Sequence, residues 1–326
     1  MTTLVTGAGM IGAMAALQLL ERGERPVLYD IVPPHDFLST VIDYGKVKVI
    51  SGDILDLPHL ITTIRSEKVD RIIHTAGLLT AAAMVRPFAA IRANVVGTAT
   101  VLEAARLTGV KRVVFTSTSA VYHAIPDPPS GSYQEDCASR YISDRQKGIY
   151  PITKLASEQI GLVYTDLYGV EFAALRFAGV FGLWKGTPSG VPGMLMDKLV
   201  KGSVMGKEVV LGDEMLVFSG GFDFLYSKDA AKSTVLACFA PKLEQKIYNV
   251  STGKYYTLDE TIGIVKKVIP NANITIKRGE ERGMSGYAAR HSPVDISAAR
   301  KELGYEPDYD LEKGVREYAD FLRKHI

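Results

Sequence analysis

Seven residues near the start of the chain, Thr6-Gly7-Ala8-Gly9-Met10-Ile11-Gly12, restrict its fold more than any other stretch. The β-rich run Thr3–Thr6 precedes them and a helical pattern, Ile11–Arg22, follows. Glycines at that spacing meet three separate needs. Gly7 permits a tight turn, Gly9 lets backbone approach a pyrophosphate, and Gly12 lets helix and strand pack closely. A helix opening at Met10 and Ile11 offers free amide donors and partial positive charge to phosphates. The apolar segment Ala8–Leu20 is explained by this unit, and it lacks the basic flank of a secretion signal.

The same strand-then-helix rhythm continues. Pro26–Tyr29, Val47–Ser51, Arg71–His74, Arg112–Phe115 and Glu171–Arg176 read as strands, and Leu57–Glu67, Pro87–Thr108 and Pro151–Tyr168 as helices. Such alternation predicts an α/β fold, a doubly wound parallel sheet covered on both faces. Ligands of these sheets bind beyond the carboxyl ends of the strands. Residues 1–177 are expected to form a dinucleotide-binding domain, with 222–250 returning to it through a helix, Asp229–Ala240, and a strand, Ile247–Val250. Residues 178–221 and 251–326 are expected to form a smaller C-terminal α+β substrate lobe. The long polar stretch His123–Ile149 is expected to wall the substrate pocket.

The 326 residues suffice for a sizeable core, and 47% hydrophobic with 23% charged residues is ordinary for a soluble globular chain. A net charge of +2 gives no field that would recruit nucleic acid or a membrane surface. Two distant cysteines, Cys137 and Cys238, argue for a reducing, cytoplasmic setting. The six histidines lack metal-ligand spacing, so no metal is expected. No run is long enough to span a bilayer.

Asp30 ends the second strand, where a carboxylate accepts from both ribose hydroxyls and repels a 2′-phosphate. The following Ile31-Val32-Pro33-Pro34 supplies no cation for such a phosphate, so NAD is favoured over NADP. Asp53-Ile54 is placed to meet the adenine, with helix capping by Asp53 an equal alternative. His74-Thr75-Ala76-Gly77 brings small residues and close backbone to the cofactor, with His74 read as a packed strand residue. Asn94 lies in a helical stretch as a further candidate cofactor contact.

Tyr150 and Lys154 are four apart on a helix and share a face. Tyr44…Lys48 and Tyr309…Lys313 have the same interval but sit elsewhere in the order of elements. Only Tyr150…Lys154 follows the fifth strand, whose end delivers the Thr118 hydroxyl. Hydride transfer at a secondary carbinol needs a proton acceptor. A free tyrosine titrates near ~10, and bringing it to about 7 takes roughly 4 kcal/mol. A lysine ammonium at ~4 Å in an effective dielectric of ~20 supplies about that much.

With these motifs in order the chain resembles the extended short-chain dehydrogenase/reductase family, the NAD-dependent epimerase and dehydratase group, over almost its whole length. The resemblance also takes in Asn94-x-x-Gly97-Thr98, Ser117-Thr118-x-x-Val121-Tyr122, Arg176-x-x-x-Val180-Phe181-Gly182, Asp223-Phe224 with Asp229, Asn249-x-x-x-Gly253 and Leu303-Gly304-Tyr305-x-Pro307. It implies a Rossmann-type sheet and bound NAD. It implies Thr118, Tyr150 and Lys154 as the catalytic triad, and a homodimer through a four-helix bundle of the helices near Arg92–Thr108 and Pro151–Tyr168. The chain departs from the family in several places. Its glycine turn is one residue shorter than usual. Ser119-Ala120 replaces the Asp-Glu of dehydratases, and Gly179 the Asn that holds a sugar-nucleotide diphosphate. Phe222 stands where an Arg is common, and His123 where a Gly is common. Lys185, Lys198, Arg282 and Arg290 are candidate replacements. Leu78, Thr118, Ser119, His123 and Gly179 are the candidate substrate contacts. These features favour an NAD-dependent dehydrogenase or reductase of a small polar alcohol or ketone. A sugar-nucleotide epimerase with tightly held NAD is the close alternative, and a non-catalytic NAD sensor the third.

Overall fold

The structure is a computed structural model that describes residues 1–122, 125, 127–139, 148–188, 190–212, 221–277 and 292–326. Its frame is a seven-stranded parallel sheet. The first six strands are β1 (Thr2–Thr6), β2 (Arg25–Asp30), β3 (Lys48–Ser51), β4 (Arg71–His74), β5 (Arg112–Thr118) and β6 (Glu171–Phe177). The seventh is Ile247–Val250, which adds parallel to β6. Across the sheet the order is Ile247–Val250, β6, β5, β4, β1, β2, β3. The chain thus runs outward from β1 to β3, then crosses back to β4, and the order reverses between β1 and β4. That reversal opens a crevice at the carboxyl ends of both strands.

Alternate residues of each strand feed two cores, as expected for a sheet buried on both faces. Val5, Ile73 and Val114 face one side with α1 (Met10–Glu21) and the helix Ser227–Phe239. Leu4, Ile72, Val113 and Phe115 face the other, where α3 (Leu57–Glu67) packs on the helix Gly97–Thr108. Local chemistry sets the element ends. The Asp56 side chain accepts from His59 N–H to start α3. Gly109 and Gly169, at φ 74° and 70°, stop the helices before β5 and β6.

The second lobe has its own small sheets. Phe222–Tyr226 pairs with Gly179–Phe181 and Tyr255–Tyr256, and Val209–Leu211 pairs with Ile274–Ile276. Within the expected returning stretch 222–250, the helix Ser227–Phe239 packs on the large sheet and Ile247–Val250 pairs within it, whereas Phe222–Tyr226 belongs to the smaller sheet.

Candidate functional site

A cavity of about 930 Å³ lies over the β1–β4 crevice and extends between the two lobes. Gly7, Gly9, Met10 and Ile11 form one end of it. Gly7 has φ +88°, and a Cβ there would come 2.6 Å from the Ala76 amide nitrogen, so only glycine fits. Gly12 faces away from the cavity. Its missing Cβ would stand 1.9 Å from the Gly7 carbonyl oxygen, which is the close helix–turn packing the spacing predicts. Gly9 differs from both, because a Cβ there would meet nothing within 4 Å and would stand in the cavity. This cradle and the uncapped α1 terminus, with no acid in its first turn, suit a pyrophosphate.

Asp30 lines the cavity and accepts from two amides, Ala8 N–H at 2.7 Å and Val32 N–H at 2.8 Å. It therefore braces the glycine turn as well as presenting a carboxylate. Asp53 and Ile54 also line the cavity. The Asp53 carboxylate accepts from Leu55 N–H and its carbonyl from the Tyr29 hydroxyl, while Asp56, not Asp53, caps α3. The dinucleotide seat thus has a glycine cradle, a ribose-side carboxylate and a small apolar wall, which is the donor set NAD requires.

Ala76, Gly77 and Leu78 line the cavity after β4. Asn94 does not line it. Only 1% exposed, its amide accepts from Leu78 N–H and donates to the Leu78 carbonyl and the Thr153 hydroxyl. It works behind the seat, holding the 77–78 backbone in place. A π turn, Arg92–Val96, rotates it inward. His74 is likewise internal. Its ring bridges the hydroxyls of Thr6 (2.6 Å) and Thr98 (3.1 Å), and burial, aided by Lys154, drives it down to about 3, so it is neutral.

The candidate triad converges at the far end. Thr118 is the last residue of β5, and its oxygen accepts from Ala120 N–H at 3.1 Å. That leaves its proton to favour the charged form of the Tyr150 phenol beside it. Tyr150 and Lys154 sit in the first turns of the helix Ile149–Tyr168. Lys154 is 3% exposed, donates from Nζ to the Thr116 carbonyl at 2.8 Å, and lies 4.5 Å from the Phe115 ring centre and 6.0 Å from that of Tyr150. The electrostatics differ from the sequence expectation. Burial pushes the Tyr150 phenol up to about 12, with the Thr118 hydrogen bond pulling back. Burial also pulls Lys154 down to about 7, against the favourable charge of Glu158. An ammonium that is itself desolvated and turned toward a carbonyl does not acidify its neighbour in this state, and helical spacing carries no information about burial.

Ser119 and Gly179 line the substrate end with Leu78. A Cβ at Gly179 would come 2.8 Å from Pro192 Cβ, so no side chain fits there. Trp184, Pro192, Phe222 and Tyr255 form apolar and aromatic walls. Trp184 also packs edge-on against Phe37, at 4.7 Å and 73°, and Lys185 donates to Thr40, so the helix His35–Val41 of the dinucleotide half touches the substrate loop. His123 lies outside the described residues, as do Arg282 and Arg290. Lys185 and Lys198 do not line the cavity. Within 123–149, no described residue lines it either. Tyr133 instead stacks on Tyr122 and bridges to Val294, and the Glu135 carboxylate accepts from Asn249 N–H. The described pocket walls come instead from Leu78–Thr80 after β4 and from residues around 184–193.

Spacing also hid a buried support. Glu158, 0% exposed and one turn beyond Lys154, takes a two-point salt bridge from Arg176 (3.0 and 2.7 Å) and a 2.5 Å hydrogen bond from Ser117. Arg176 continues to Tyr122, whose hydroxyl donates to Asn249. Four residues quoted above only as motif letters thus form one network under the triad. Among the described residues, no three metal-ligating side chains come together, and no helix is long and apolar enough to cross a membrane.

Comparison with known proteins matches residues 3–251 to the model of the NAD dependent epimerase/dehydratase family. A UDP-glucuronate 4-epimerase of Thermodesulfobacterium geofontis is 27% identical, over 99% of this chain and 96% of that protein. A UDP-glucose 4-epimerase of Thermus thermophilus, solved with NAD, superposes with a TM-score of 0.80 at 24% identity, covering all of both chains. A partial-consensus L-threonine 3-dehydrogenase superposes with a TM-score of 0.83 at 23% identity, over 99% of this chain and 100% of that one.

Proposed function

The chain belongs to the NAD-dependent epimerase/dehydratase family, and on that basis we propose that it is an oxidoreductase acting at a secondary alcohol or ketone of a small polar substrate, with Thr118, Tyr150 and Lys154 as its reacting centre. One observation carries this reading. The Thr118 hydroxyl, oriented by Ala120 N–H, lies beside Tyr150 and a buried lysine, and all three line the cavity that holds the glycine cradle. NAD, when bound there, supplies the hydride acceptor or donor. Thr118 holds the substrate oxygen. The Tyr150 phenolate would take that oxygen's proton in oxidation, and the Tyr150 hydroxyl would return it in reduction. With cofactor and substrate in the site, the Lys154 charge one helical turn away would stabilise the Tyr150 phenolate. Leu78, Ser119 and Gly179 would flank the substrate, and the lobe formed by 178–221 and 251–326 would close over it.

The absent diphosphate ligands support a small substrate. Pro192 occupies the space a side chain at 179 would need, and Phe222 contributes a ring. A second reading, a sugar-nucleotide 4-epimerase with retained NAD, is supported by the activity named for the Thermodesulfobacterium relative. The assay that separates them incubates the purified protein with NAD and a panel of alcohols and UDP-sugars. Accumulating reduced nicotinamide supports the first reading, and stereoisomer exchange without it supports the second. Neither, across the panel, overturns both.

We further propose a homodimer. Val85 (80% exposed) and Phe88 (73%), with Val96, Ile152, Val163 and Leu167, leave apolar side chains in water on neighbouring helices. The free thiols Cys137 and Cys238 are compatible with a cytoplasmic location.

A further inference from the structure

Among the described residues, three cations line the cavity, Lys154, Arg86 and Arg92, against the carboxylates of Asp30 and Asp53. Lys154 is buried and directed at Thr116. The two arginines are uncommitted. Many arginines elsewhere find carboxylates, such as Arg25 with Glu67, Arg106 with Glu103, Arg112 with Glu171 and Arg176 with Glu158, whereas the exposed Arg65 on the surface of α3 has none among the described residues. Arg86 and Arg92 have no side-chain ion pair, hydrogen bond or ring contact among the described residues.

Their placement is built by the backbone. Arg86 joins the helices Thr80–Val85 and Pro87–Ile91, its N–H bonded to the Ala82 carbonyl and its own carbonyl to Ala90 N–H. Arg92 opens the π turn that Asn94 anchors to Leu78 and Thr153. Together with Ala89 and Ala93, which also line the cavity, they recur at helical spacing and share one face. Alanines between them leave both guanidinium groups clear.

We infer that Arg86 and Arg92 form a phosphate-binding pair on this wall of the cleft, taking either the pyrophosphate of the cofactor or a phosphate carried by the substrate. Guanidinium presents a fixed fork of donors that matches phosphate oxygens, and charge in a cleft is screened less than on an open surface. The α1 terminus offers amides and a partial charge, but no full positive charge. A dinucleotide brings two negative phosphates, and these arginines are the two cavity cations free to neutralise them. The assignment does not depend on which reaction the protein runs.

The test is the double variant R86Q/R92Q, both sites being exposed, studied by titration calorimetry. NAD is titrated at low and at physiological salt, adenosine serves as the uncharged control, and UDP is titrated into NAD-loaded protein. If the pair holds the cofactor, NAD binds at least tenfold more weakly to the variant, with a flatter salt dependence and unchanged adenosine binding. If it holds a substrate phosphate, NAD binding is unchanged and UDP binding to the loaded protein weakens at least tenfold. The inference is overturned if NAD affinity is unchanged and UDP binds both proteins equally or neither. It is also overturned if adenosine affinity falls in step with that of NAD.

Discussion

Lys154 shows how a single residue can serve chemistry at the expense of stability. Its amine ordinarily titrates near 10.5 and is pulled to about 7 by burial. A group depressed in this way contributes fully to folding only above its unfolded value, and that contribution is lost as pH falls from about 10 toward 7. At ~1.36 kcal/mol per pH unit the cost of a charged Lys154 is on the order of 5 kcal/mol at most. Lys154→Met is therefore expected to raise the thermal midpoint of the cofactor-free protein by several degrees at pH 6 and by little at pH 10, while depressing turnover. Calorimetry at the two pH values decides it, and equal or opposite shifts would contradict the account. Tyr150, raised to about 12, titrates in the other direction. The base form that oxidation needs gains population as pH rises, so oxidation should accelerate toward alkaline pH and reduction should slow. Tyr150→Phe should lose about 10²–10⁴ in turnover with NAD affinity nearly intact. Normal turnover in that variant would remove the tyrosine from the mechanism.

At the scale of elements, the glycine turn separates two effects that are usually entangled. Gly9 has ordinary extended geometry, φ −68° and ψ −167°, and open space in front of it. Gly9→Val should thus fold with an unchanged melting temperature and yet lose NAD binding, which equilibrium dialysis would report. Gly7→Ala, by contrast, meets the Ala76 backbone and a left-handed φ, so it serves as the destabilised comparison. The turn, the alternating strands and helices, and the Tyr150–Lys154 face were all legible in the sequence, because each is written in local spacing. What escaped is long-range. Tyr133 joins Val294 from the far end of the chain, and none of the described residues within 123–149 lines the cavity. Glu158 did have a local signal, standing four residues after Lys154 on the same face. Its partner Arg176 comes from the next strand, and no spacing rule connects them.

For the molecule as a whole, backbone hydrogen bonds cross from one lobe to the other: Tyr133 N–H donates to the Pro293 carbonyl, and Asp295 N–H to the Tyr133 carbonyl. The second lobe was the less legible half, since its short strands, two to five residues long, give little periodicity to read. The exposed apolar helices bear on assembly. Phe88→Asp combined with Val163→Asp should yield a monomer by sedimentation if these faces meet in a dimer, and an unaltered mass would place the interface elsewhere.

The chain contains one tryptophan, and it is Trp184, pressed against Phe37 across the mouth of the cleft. Excited beyond the tyrosine absorption band, its emission therefore arises from a single indole next to the binding chamber. Stopped-flow quenching of that light should track ligand arrival in real time without any attached dye. Replacing Trp184 with Phe should make the protein spectroscopically silent to the same ligands.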